Sequence, residues 1–133
     1  GTIATTSDTI SAQYADATSA IDITSISLKL NGTAVVGATV TSTGISYLAT
    51  SLAQGSHTVS LTVKDVPGNS TTLEWSFKVD TIGPIISNNS PTGTITVTSA
   101  TISAQYSDAT SAIDTTSVSL KLDGTAVVGA TVT

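Results

Sequence analysis

The stretch from Gly1 to Thr41 returns as Gly93 to Thr133, with 34 of 41 positions identical at an offset of 92 residues. A long-period repeat of this fidelity marks a tandem array, so the fold must be one that a single template can build again and again. The seven differences are Ala4/Thr96, Thr5/Val97, Asp8/Ala100, Ala15/Ser107, Ile23/Thr115, Ile26/Val118 and Asn31/Asp123. They exchange similar or surface-compatible residues and remodel no site. The chain reads as one full repeat of 92 residues plus the first 41 of the next. The expectation is a window from a longer polypeptide.

Composition narrows the fold class. Ser and Thr make up roughly a third of the residues, charged residues are 10%, and the apolar set is rich in Val and Ile. That balance favours strands over helices. The chain has no Cys or Met, so no disulfide framework and no thiolate metal site can hold it together. A repeat of this length must stand on its own packed core, which a sandwich of about 90 residues can supply. Four basic residues against a net charge of −5 argue against nucleic acid and anionic membranes as partners. No transmembrane run or signal peptide is legible.

Alternation is clearest in residues 57–64, where Val59, Leu61 and Val63 share one face and Thr58, Ser60, Thr62 and Lys64 the other. This is the pattern of a half-buried strand. Residues 71–79 repeat it, with Leu73, Trp75, Phe77 and Val79 inward, and Asp65-Val66-Pro67-Gly68-Asn69 between the two runs supplies a hairpin turn. Residues 9–14 and 25–30 are two more strands, the second ending at Asn31-Gly32, a tight-turn signal. Shorter runs at 33–36, 38–41 and 45–50 are punctuated by Gly37 and Gly44. About seven short strands in about 90 residues predict an all-β, immunoglobulin-like Greek-key sandwich, with Leu28, Val59, Leu61, Trp75 and Phe77 in its core.

One strand ends near Asp80-Thr81-Ile82-Gly83-Pro84 and an extended segment starts at Ile85-Ile86-Ser87. In this phase residues 1–83 form a domain lacking only its first strand, and residues 84–133 form the first half of the next. A short linker containing Pro predicts a semi-rigid array. The half-domain lacks counterparts of the Val59 and Trp75 strands, so the expectation is that a neighbouring repeat or another subunit covers it.

Several motifs together resemble the bacterial and archaeal Ig-like repeats of giant cell-surface proteins, adhesins and surface filaments, over the whole chain. They are G-x-H-x-V at Gly55, His57 and Val59, D-x-x-G-N at Asp65, Gly68 and Asn69, and W-x-F-x-V-D at Trp75, Phe77, Val79 and Asp80. Where that family often has Gly in its D-x-x-S-G-I loop, this chain has Ala20 and Ala112. The resemblance implies a β-sandwich used as stalk, filament or adhesive array, extracellular and at the cell surface, and it specifies no substrate.

Candidate sites are few. Some related surface arrays are rods stiffened by calcium, and the candidate ligands here are Asp16, Asp22, Asp65, Asn69 and Asp80. Calcium takes about six to eight converging oxygens. These acids are sparse, and turn formation accounts for Asp65 and Asn69 equally well, so no cofactor is expected. His57 is the only imidazole, which disfavours zinc. It opens a regular strand with no G-x-S-x-G nucleophile turn in the chain, and no enzyme is expected. Lys29, Lys64, Lys78 and Lys121 fall on polar faces and read as solvated lysines rather than crosslinking ones. The acceptor sequons at Asn31, Asn69 and Asn88 lie in expected turns or linkers, where a glycan can be carried without disturbing a core.

The function expected is a structural tandem-repeat module of an extracellular filament, stalk or surface layer, acting as a semi-rigid spacer between neighbouring repeats or subunits of the same protein. One alternative is an adhesin array that meets a surface, glycan or ice through Thr rows such as Thr39/Thr41 and Thr94/Thr96/Thr98. Another is an accessory domain of a secreted hydrolase.

Overall fold

The structure, a computed structural model, describes residues 1–133, which divide into two compact units, Gly1–Thr81 and Ile82–Thr133. In the first unit the strands are β1 (Thr2–Ile3), β2 (Asp8–Gln13), β3 (Ser27–Leu30), β4 (Thr33–Ala34), β5 (Thr39–Val40), β6 (Gly44–Ala49), β7 (Gly55–Lys64) and β8 (Ser70–Val79). They form a five-stranded sheet in the order β1-β8-β7-β3-β4 and a three-stranded sheet in the order β2-β6-β5. The chain passes between the sheets four times, at β1–β2, β2–β3, β4–β5 and β6–β7, as befits an Ig-like sandwich.

The β7–β8 hairpin is the frame of this unit. Its ten residue pairs run from Gly55↔Val79 to Lys64↔Ser70, the longest ladder in the unit. Val59 and Leu61 on β7 are buried, as is Val79 on β8, because the alternation turns them to the inner face. Leu28 of β3 packs beside them, and Ile10 of β2 with Ile45 and Ala49 of β6 close the core from the other sheet. The smaller sheet rests on the six-pair β2–β6 ladder, Asp8↔Ala49 to Gln13↔Gly44. A Cβ on Gly44 would meet the Ala12 carbonyl oxygen at 3.0 Å, so a side chain there would need the paired backbone to give by a few tenths of an ångström. The β3–β4 hairpin closes through Asn31 and Gly32, both with positive φ (52° and 80°), the two-residue turn that Asn-Gly favours.

Three details differ from the sequence reading. Ser25 is not in a strand: Ile23–Ser25 make a 3-10 turn, because the Asp22 carboxylate caps the Thr24 amide. The strands expected over 33–36 and 38–41 are only Thr33–Ala34, paired to β3, and Thr39–Val40, an edge strand paired to β6. Trp75 and Phe77 pack against the core but stay half-buried. Leu73, on the same face, is exposed. The three residues share one face of β8, and β2 presents a free edge on that side of the unit, so no strand of this unit extends the smaller sheet over them.

The second unit contains β9 (Ile85–Ser90) antiparallel to β10 (Ser103–Ser107), and the β11 (Lys121–Leu122) to β12 (Thr125–Ala126) hairpin. None of the buried apolar residues of the chain lies in it. Its hairpin copies the first one, with Asp123 and Gly124 at φ 49° and 80°. Where β3 spans four residues, its counterpart β11 spans two, since the strand that pairs β3 along its length, β7, has no equivalent within Ile82–Thr133.

Core truncation tests this account. Leu61→Ala should lower unfolding free energy by about 2–5 kcal/mol, whereas Val36→Ala, at an exposed position, should change it by less than about 0.5 kcal/mol. Urea unfolding followed by tryptophan fluorescence reads both, because Trp75 lies against the core.

Candidate functional site

Polar side chains gather at the two ends of the first unit, and each group is built by a different pair of elements. At the β7–β8 turn, the Asp65 carboxylate accepts from the Asn69 backbone amide (2.6 Å), the Asn69 side-chain amide (2.7 Å) and the Ser19 hydroxyl (3.0 Å). Ser19 belongs to the β2–β3 connection, so Asp65 ties that connection to the hairpin. Two backbone bonds lie alongside, Val66 N–H to the Ala20 carbonyl and Asp22 N–H to the Lys64 carbonyl, both 2.9 Å. Within the same connection Asp16 accepts from the amides of Thr18 and Ser19, each at 2.7 Å, an Asx turn.

These bonds hold the carboxylates charged. Asp65 sits below the usual carboxylate range chiefly because the Asn69 side chain donates to it, against the opposing effect of partial desolvation. Asp16 is lowered first by the Thr18 amide and then by that of Ser19. Asp22 is lowered by the Thr24 hydroxyl and amide. Donors that favour the charged form act in this direction.

Of the five calcium candidates, Asp16, Asp65 and Asn69 are linked directly or through Ser19, and Asp22 lies at the same end beside Lys64. Asp80 is at the opposite end, where its backbone N–H bonds the Ile3 carbonyl. No three acidic, His or Cys side chains converge as a metal-binding group. The polar partners of Asp65 are protein donors, and they lock a turn.

In the sequence His57 opens the strand, two residues before Val59. It is buried, stacks on Phe77 with ring centroids 5.3 Å apart, and has both ring nitrogens engaged. Nδ1 lies 2.9 Å from the Asn31 side-chain nitrogen and Nε2 lies 2.9 Å from the Ala53 carbonyl oxygen. The Ala53 carbonyl only accepts, so Nε2 carries the proton and Nδ1 accepts from Asn31. Asn31 also accepts from the Thr58 amide at 3.0 Å. The imidazole therefore pins the β3–β4 turn to β7 with no nitrogen left for proton transfer.

The sequons fall in different settings. Asn31 and Asn69 are in turns, and both side-chain amides already donate, to His57 and Asp65. Asn88 is not in a linker: it lies inside β9 beside the register shift opposite β10, with φ 51°, and donates to Gln105. All four lysines are exposed. On the outer face of the smaller sheet, Ser11, Gln13, Thr39, Thr41 and Ser46 line a shallow polar groove.

The family model described as Bacterial Ig-like domain matches residues 5–81. No curated protein and no solved structure matches the chain.

Two measurements check the polar locks. Asn31→Ala leaves the buried Nδ1 of His57 without a donor and should cost about 1–3 kcal/mol in urea unfolding. Asp16, Asp22 and Asp65 have lowered folded-state pKa values, so their stabilisation is complete above the unfolded value of about 3.9 and is lost as pH falls through the folded values. Thermal melts between neutral pH and about pH 2 should show this loss, and the Asp16→Asn/Asp65→Asn double variant should have a shallower acid slope.

Proposed function

The chain belongs to the bacterial Ig-like domain family, and from that premise we propose that it is a structural tandem-repeat module of an extracellular filament, stalk or surface layer. Bacterial Ig-like domains commonly occur in surface proteins and are typically non-catalytic, and no helix here is long and apolar enough to cross a membrane. The observation that carries the proposal is that the repeat copies its turns and caps as well as its letters. The Asp16 turn recurs at Asp108, the Asp22 cap at Asp114 and the Asn31-Gly32 turn at Asp123-Gly124. A spacer gains from such copying, because identical ends produce identical junctions.

In this reading residues 1–83 are a repeat lacking its first strand and residues 84–133 open the next one. The partners are neighbouring repeats or subunits of the same protein, with no nucleic acid involved. The adhesin alternative rests on the polar groove containing Thr39 and Thr41. It requires that polar face, rather than the repeat junctions, to meet a ligand.

A recombinant array of several complete 92-residue repeats tests the spacer. Ten-residue strands such as β7, at about 3.3 Å per residue with turns and linker added, give an axial step on the order of 40 Å. Electron microscopy or scattering should show that spacing with and without chelator. A compact chain with no regular spacing would remove the rod, and loss of the spacing on chelation would bring calcium back to Asp16, Asp22 and Asp65.

A further inference from the structure

His57 is the only imidazole in the chain, and one of the seven differences between the repeat copies, Asn31/Asp123, falls on its hydrogen-bond partner. The roles of the ring nitrogens are fixed from both sides. The Thr58 N–H donates to Oδ1 of Asn31 at 3.0 Å, which leaves the NH2 group of that side chain to face Nδ1 of the ring at 2.9 Å. An amide NH2 only donates, so Nδ1 accepts, and Nε2–H is given to the Ala53 carbonyl at 2.9 Å. The ring is 6% exposed and stacks on Phe77, a buried setting in which a lost bond goes unreplaced.

Three elements meet the ring: β8 through Phe77, the β3–β4 turn through Asn31 and the β6–β7 connection through Ala53. None of these contacts is charged. The titratable side chains on the neighbouring strands lie on the outer face, Lys29 and Glu74 opposite Ser60, Lys64 opposite Ser70 and Lys78 opposite Ser56. Asp80 follows β8 in the same phase as Lys78.

We propose that the Asn31–His57 pair is an acid-sensitive latch on the β3–β4 turn, and that the residue at position 31 sets the sign of its response. A second proton on the ring goes to Nδ1 and turns the acceptor into a donor that faces the Asn31 NH2 group. Turning the amide over only moves the conflict, because the NH2 group would then face the Thr58 N–H. The protonated ring therefore loses its Asn31 bond and becomes a buried charge with no carboxylate beside it. Asp at the same place reverses the outcome. Its carboxylate accepts from the Thr58 N–H and from Nδ1–H while Nε2–H still bonds Ala53, so the charged ring satisfies every group and the neutral ring is one bond short. The turn takes either residue on one backbone, with φ 52° and 80° at Asn31 and Gly32 and 49° and 80° at Asp123 and Gly124. The latch stands whether or not the repeat serves as a spacer.

Urea unfolding of the 133-residue chain, followed by Trp75 fluorescence from about pH 8 to pH 5, tests this. Histidine is the side chain that changes charge in that window, and the carboxylates of Asp16, Asp22 and Asp65 titrate below it. Unfolding frees the wild-type ring to take its proton, so the folding constant should fall about tenfold as pH drops. Asn31→Asp should move the opposite way and gain stability over the same range. Imidazole nitrogen NMR should find Nε2 alone protonated in wild type at pH 8 and both nitrogens protonated in Asn31→Asp at pH 6. His57→Gln should flatten the profile. Wild-type stability that stays constant across the window overturns the proposal, as does an Asn31→Asp slope of the same sign as wild type. A His57→Gln slope equal to that of wild type also overturns it, by assigning the response to another group.

Discussion

The pairing of β7 with β8 is the constraint on which the first unit depends. The same sequence occurs with and without it in one chain. Ile10 is 6% exposed and its repeat counterpart Ile102 is 41%; Leu28 is 5% exposed and Leu120 is 37%. The residues and their neighbours in sequence are nearly the same, so local preference does not decide the burial. What differs is β6, which pairs β2 and brings Ile45 and Ala49, and above all the ten-residue hairpin that places Val59, Leu61 and Val79 under them. Apolar residues spaced two apart have no core to face until the second sheet is present.

Local chemistry behaves in the opposite way. The Asx turn at Asp16, the cap at Asp22 and the Asn31-Gly32 turn involve partners within a few residues, and all three reappear at Asp108, Asp114 and Asp123 in the unit that buries none of its apolar side chains. Turns and caps are set by one to four residues of sequence; sheets are set by contacts across tens of residues. The repeat joins self-sufficient joints to a core that requires long-range pairing.

This division explains how much was legible in the sequence. Alternation in Val59, Leu61 and Val63 and the Asn-Gly turn state their structure locally, and the sandwich class followed from them. The parallel seating of β1 on β8, Thr2↔Lys78 and Ile3↔Val79, joins residues more than 70 apart and leaves no local trace. The same holds for the Asn31–His57 and Ser19–Asp65 bonds, which span 26 and 46 residues. His57 had a signal in its place on the inward face of β7, but its partner did not. Leu73 read as inward, and Trp75 and Phe77 as core, because alternation reports which face a side chain takes and not whether anything covers that face.

Residue-resolved amide exchange on the 133-residue chain tests the dependence on β7–β8 most directly, since each repeat copy is the control for the other. The account predicts that Ser27–Lys29 exchange only on global unfolding of the first unit, while Ser119–Lys121 exchange orders of magnitude faster through local opening. Equal protection of the two segments would contradict it, because the repeated sequence would then hold its strand without the hairpin.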